Sequence, residues 1–98
     1  MKGGGHSTNP GFSSTPGVQI ALTRLNETIV NSEDGTVDVG PGLTWDQVYT
    51  ALNSTGVNVI GGRIPGVGVA GFTLGGGRCR LLAEESWMLN FCRLFIQV

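Results

Sequence analysis

Glycine sets the first limit on what this chain can fold into. All 17 glycines and all four prolines of its 98 residues lie between Gly3 and Gly77. They gather towards the two ends of that stretch, as Gly3-Gly4-Gly5 and as the repeated glycines of residues 61–77. Glycine destabilises the interior of a helix or strand but permits tight turns and close backbone approach. The glycine-bearing part must therefore consist of short elements joined by backbone-rich loops. Residues 78–98 contain no glycine or proline, yet they hold both cysteines and three of the six basic residues. The chain accordingly divides into a domain over 1–77 and an atypical tail over 78–98. Two origins for the tail stay open: a helix following a glycine-rich loop, or a segment from an alternative exon, retained intron or shifted frame. As a helix it would present Met88, Phe91, Cys92 and Phe95 as one apolar stripe. As a poorly ordered end it would be an aggregation liability.

Apolar residues make up 40% of the chain and charged residues 13%. That is too apolar for a disordered or solvating segment. The net charge of −1, with no basic block, argues against binding the phosphate backbone of nucleic acid. No stretch reaches the ~20 apolar residues needed to cross a bilayer. The N-terminus lacks the apolar run of a signal peptide. Two glycosylation triplets, Asn26-Glu27-Thr28 and Asn53-Ser54-Thr55, mildly favour a secretory parent. Cys79, Cys92 and the single histidine, His6, cannot complete a four-ligand zinc site.

Between the glycine clusters the pattern predicts an α+β arrangement. Residues 18–22 form an apolar run after Pro16-Gly17 and read as a strand. Thr28-Ile29-Val30 and Thr36-Val37-Asp38-Val39 flank Ser32-Glu33-Asp34-Gly35, a hairpin signal. Thr44 with Gln47 three residues on reads as a capping box. Trp45, Val48, Tyr49 and Leu52 follow at helical spacing, with Gly56 as the expected C-cap. These side chains read as core, and Asp46 as a first-turn acid that the helix dipole favours. Residues 57–60 read as a further strand, and residues 61–77 as a second glycine-rich loop.

Two features bear on chemistry. Gly3-Gly4-Gly5 lets backbone N–H groups approach an anion, with the imidazole of His6 held beside it. Ser7, Thr8 and the turn-forming Pro10-Gly11 shape the same loop. In the second loop, Gly66-Val67-Gly68-Val69-Ala70-Gly71 matches the dinucleotide fingerprint G-x-G-x-x-G. That fingerprint needs its third glycine inside a long helix packed on a sheet. Here Gly75-Gly76-Gly77 would end a helix after about a turn, so the nicotinamide Rossmann reading is rejected. A generic phosphate-binding module using both loops is an alternative.

The order of these motifs resembles the FAD-binding PCMH-type domain of the vanillyl-alcohol oxidase / p-cresol methylhydroxylase superfamily, in its berberine-bridge-enzyme-like, fungal form. The resemblance runs from Lys2 to Gly77. It implies that Gly3, Gly4 and Gly5, with Ser7 and Thr8, wrap the FAD pyrophosphate. It also implies that His6 is the residue whose imidazole attaches covalently to the flavin 8α-methyl carbon. Pro65, Gly66, Val67, Gly68, Val69, Ala70 and Gly71 would run along the pyrophosphate and isoalloxazine. Some relatives add a cysteinyl link from this loop; Ile64 stands at that position and cannot form one.

The resemblance also implies FAD-linked oxidoreductase chemistry in the parent, with hydride passed from substrate to flavin and reoxidation often by O₂. Family members are often secreted. The family's first β-α-β unit and its substrate domain have no counterpart in this sequence, which predicts a truncated fragment. Such a fragment is expected to bind FAD weakly or not at all and to turn over no substrate. The competing reading is a non-catalytic product, truncated or misfolded, that binds no flavin.

Overall fold

Among residues 1–77, which the computed structural model describes, the elements run strand, strand, helix, helix, an α+β order. The expected tail helix, both cysteines and Glu84-Glu85 lie outside the described residues. Strands β1 (Thr28–Asn31) and β2 (Thr36–Val39) form the expected antiparallel hairpin, with Thr28 opposite Val39 and Asn31 opposite Thr36. Gly35 closes the turn at φ 65°, a left-handed conformation that glycine adopts without steric cost. Across the strands, the Asn31 side-chain amide donates to the Asp38 carboxylate at 3.0 Å. Val37 and Val39 alternate inward and are buried, as period-two geometry requires.

The pairing continues past the strand ends. Gly40 N–H donates to the Glu27 carbonyl at 2.8 Å, and Gly42 N–H to the Leu25 carbonyl at 2.9 Å. A Cβ at Gly40 would strike the Leu25 carbonyl, and one at Gly42 the Leu22 carbonyl. These glycines bring two backbones together.

Helix α1 (Trp45–Leu52) starts where the capping signal places it. The Gln47 side chain accepts the Thr44 N–H at 3.0 Å. Trp45, Val48 and Leu52 point into the core, and Tyr49 packs against it. The expected C-cap is corrected: the helix ends at Asn53, and Gly56 comes later. Thr55 takes the free Leu52 carbonyl with both its N–H, at 3.0 Å, and its hydroxyl, at 2.7 Å. That closes the helix before the chain reaches Gly56, which turns at φ 70°.

Helix α2 (Val69–Leu74) lies inside the second glycine region, which by sequence reads only as a loop. Its six residues match the single turn or so that the following glycines allow. It ends in a Schellman motif: Gly76 N–H donates to Thr73 O at 3.1 Å and Gly77 N–H to Phe72 O at 2.8 Å. Gly76 supplies the left-handed residue at φ 72°.

The two other expected strands do not form. In residues 18–22 only Ala21 bridges, in parallel to Lys2. Lys2 N–H donates to Ile20 O at 2.8 Å and Leu22 N–H to Lys2 O at 2.9 Å. After Lys2 the chain turns into its glycine loop, so no partner continues the ladder. Residues 57–60 also carry no strand. Val57 and Val59 instead pack their side chains against the core, so apolar burial there proceeds without a ladder.

The core joins Val37 and Val39 of the hairpin to Leu43, to the inner face of α1, and to Val67 and Val69 of the second loop. Leu52→Ala should lower stability by about 2–5 kcal/mol through lost burial and a residual cavity. Ile20→Ala, at a side chain 58% exposed, should change it little. Denaturant midpoints of the two variants, compared at equal m-value, check this contrast.

Candidate functional site

Two backbone anchors hold the N-terminal loop, and two backbone bonds and one to a side chain hold the second. The first loop leaves Lys2, which is gripped on both sides by Ile20 and Leu22 as above. The second is pinned by Trp45 N–H donating to Val67 O at 3.0 Å and by Val69 N–H donating to Leu43 O at 2.9 Å. Gly66 N–H adds a bond to the Asp46 carboxylate at 2.9 Å. Asp46 thus does more than face a helix dipole: it ties the start of the second loop to α1. The Gly66 N–H, and secondarily the Thr44 hydroxyl, hold the Asp46 carboxyl below the ordinary aspartate range.

Between the loops lies an open cavity of about 440 Å³, a size typical of small-molecule sites. Gly3, Gly4, Gly5, His6 and Ser7 line one side of it. Val67, Gly68 and Gly71 line it from the second loop. The structure therefore brings together residues more than sixty positions apart in sequence. Thr8, Pro65, Gly66, Val69 and Ala70 are not on its wall. Val69 is fully buried in the core and Ala70 nearly so. Ile64 is also off the wall, and 67% exposed.

The cavity has further walls that the motifs did not name. Lys2, Phe12, Ser13, Gln19 and Phe72 line it. Lys2 directly precedes the glycine run, so a cation beside an anion cradle was a readable signal. Phe72 and Gln19 arrive only through the fold. Phe72 also meets Trp45 edge-to-face at a centroid distance of 5.4 Å, which ties the wall to the core.

The donor set has a clear polarity. Among the described residues, the backbone N–H groups of residues 3–8 donate no hydrogen bond. Gly3 and Gly4 are half-buried, where an unpaired N–H is costly. Among the described residues no carboxylate lines the cavity, while Lys2 does. Unpaired donors and the Lys2 ammonium, with no carboxylate of the described residues opposite them, suit a bound anion. Phe12, Val67 and Phe72 add apolar surface for a flat ring. These walls fit a ligand that is anionic in one part and aromatic in another.

A second cavity of about 330 Å³ beside the hairpin has Arg24, Glu27 and Asp38 on its wall and gathers none of the motif residues. Among the described residues, no helix is long and apolar enough to cross a membrane.

Comparison with known proteins gives a consistent picture. A family model described as an FAD binding domain matches residues 1–88. The chain is 49% identical over 79 residues to the FAD-dependent monooxygenase yanF of Aspergillus niger, covering 79% of this chain and 14% of that protein. It is 47% identical over 77 residues to the FAD-dependent monooxygenase macF of Penicillium terrestre, covering 76% and 15%. An uncharacterized FAD-linked oxidoreductase of Arthroderma benhamiae is 41% identical over 91 residues, covering 92% and 18%. The chain thus spans less than a fifth of the length of these relatives. No solved structure matches it.

The Asp46–Gly66 bond makes a pH prediction. A carboxyl whose folded pKa is depressed contributes stability above its unfolded pKa and loses it as pH falls through the folded value. Wild type should therefore exceed Asp46→Asn in thermal midpoint above about pH 4. The two curves should converge as the pH drops further. Parallel curves down to the acid limit would show that the carboxylate charge adds nothing to the anchor.

Proposed function

The chain belongs to the FAD binding domain family, and on that premise we propose that the cavity between its two glycine loops holds FAD for a longer oxidoreductase. FAD is the family's cofactor. The observation that carries the placement is the run of unpaired N–H groups at residues 3–8, beside a cavity without carboxylates. Gly3, Gly4 and Gly5, with Ser7, offer donors to the pyrophosphate from the wall, Thr8 follows just beyond it, and Lys2 offsets the charge. Val67, Gly68 and Gly71 form the facing wall. Gly66, Val69 and Ala70 set the course of that wall from behind, through the Asp46 anchor and the core, and Pro65 precedes them in an exposed turn.

Bound FAD supplies hydride acceptance at N5 and passes the electrons on, often to dioxygen; the protein's part is binding and orientation. His6 lies exposed on the wall, free to reach the ligand. It is the candidate for covalent attachment. Attachment makes one C–N bond from an imidazole nitrogen to the 8α-methyl carbon. With FAD bound, His6 would give up its imidazole N–H proton and the methyl carbon one proton, and dioxygen would take the two electrons released. Ile64 carries no thiol, so a cysteinyl link from its position cannot form. The relatives' names, FAD-dependent monooxygenase and FAD-linked oxidoreductase, support the oxidoreductase reading.

The expectation of weak or absent FAD binding gives way here to the unpaired donors on the cavity wall: the full chain, expressed with FAD, should show an FAD-dependent rise in melting temperature. After acid precipitation its pellet should keep flavin fluorescence. His6→Ala should lose the fluorescence and keep the thermal shift, because the N–H cradle is intact. A colourless pellet with no FAD-dependent shift would overturn the proposal. A shift with inorganic phosphate and none with FAD would replace it with a generic phosphate site.

A further inference from the structure

The glycines of the two loops do not all serve the ligand. Glycine is required for one of two reasons: a backbone conformation closed to other residues, or a lack of space for a Cβ. Gly5 and Gly66 have the first reason, at φ 85° and 84°. Gly4 and Gly68 do not, since neither has positive φ. Gly68 sits at φ −70° and ψ 138°, open to any residue. Their reason is space, and the space is taken by each other.

A Cβ at Gly4 would lie 2.8 Å from Gly68 N, 2.9 Å from Gly68 Cα and 3.0 Å from Gly66 O. One at Gly68 would lie 2.6 Å from Gly4 N and 3.1 Å from Gly4 Cα. The obstructing atoms are backbone, which cannot rotate aside like a flexible side chain. Gly68 is also held from behind by its bridge to Thr44. Gly71 differs: it lines the cavity, and a Cβ there would meet nothing within 4 Å.

We infer that Gly4 and Gly68 form a side-chain-free backbone contact that locks the two loops into one cradle, so that the N-terminal donors take their ligand-binding positions only against the second loop. Both are positioning residues in this role. What the cradle holds rests on the FAD reading, but the contact itself is a property of the ligand-free chain.

Nuclear Overhauser effects on the ligand-free wild-type chain test it directly. Cross-peaks between the Gly4 α-protons and the Gly68 amide are expected, and their absence overturns the inference whether or not FAD binds. Amide shifts of the variants test the coupling. Gly68→Ala should move the amides of Gly5, His6 and Ser7, more than sixty positions away, and weaken FAD binding by at least about tenfold. Gly71→Ala should leave those three amides in place. Gly17→Ala, outside the cavity, should leave both amides and FAD affinity unchanged. Changes confined to the second loop in Gly68→Ala would overturn the coupling. Should Gly68→Ala fail to fold, the wild-type cross-peaks decide.

Discussion

Trp45 is the residue on which the rest of the described structure depends. Its side chain is fully buried at the start of α1. Gly61 and Gly62 lie so close to the indole that a Cβ on either would run into the ring. The Tyr49 hydroxyl donates to the Gly62 carbonyl at 2.9 Å and closes the same corner. Burying a tryptophan removes roughly 150–250 Å² from water, worth on the order of 4–6 kcal/mol at most. Its indole N–H has no hydrogen-bond partner, a penalty of about 1–3 kcal/mol. Burial therefore prevails, but only because two glycines let the chain lie flat on the ring. The same residue's backbone N–H anchors Val67, and its neighbour Asp46 anchors Gly66. One helix start thus supports both the core and one wall of the site.

This gives glycine several distinct tasks in one short chain. Gly40 and Gly42 extend the hairpin pairing; Gly61 and Gly62 accommodate Trp45; Gly76 caps α2. Gly77 lies against the Phe72 ring, where a Cβ would collide. Only a few, Gly3, Gly4, Gly5, Gly68 and Gly71, line the cavity. A glycine-rich sequence suggests a cradle as a whole, and much of what it specifies here is how closely the backbones pack around that cradle.

Elements with local causes were legible in the sequence. The hairpin follows from Asp34-Gly35 between β-branched runs, and α1 from Thr44, Gln47 and its apolar spacing. Both appear where those signals sit. Residues 18–22 and 57–60 carry strand-like composition, but a strand exists only where a second backbone pairs with it. That condition is not written in five residues. Helix α2 was hidden because its flanking glycines signal loop as strongly as they signal caps. In the candidate site, the family resemblance assigned Gly3–Ser7 and Val67, Gly68 and Gly71 to one cofactor, and these residues line one cavity. Phe72 and Gln19 were not readable, because their place on the wall depends on the packing of Trp45 and the bridge at Lys2.

Phe72 shows why the core and the site cannot be tuned separately. It lines the cavity, touches Trp45 edge-to-face, and takes the Gly77 N–H on its carbonyl. A change in the core that shifts the indole shifts the ring on the cavity wall, and through it the end of α2. Val67 repeats the pattern: it is buried in the core, accepts the Trp45 N–H, and lines the cavity. Many binding sites sit on loops that vary freely over an indifferent scaffold. Here the second loop supplies part of the core, so its freedom to vary is limited by the same contacts that hold the domain together. The N-terminal loop is the freer partner. It contributes exposed donors and His6, and reaches the core's side of the cavity chiefly where Gly3 and Gly4 meet Ala70 and Gly68.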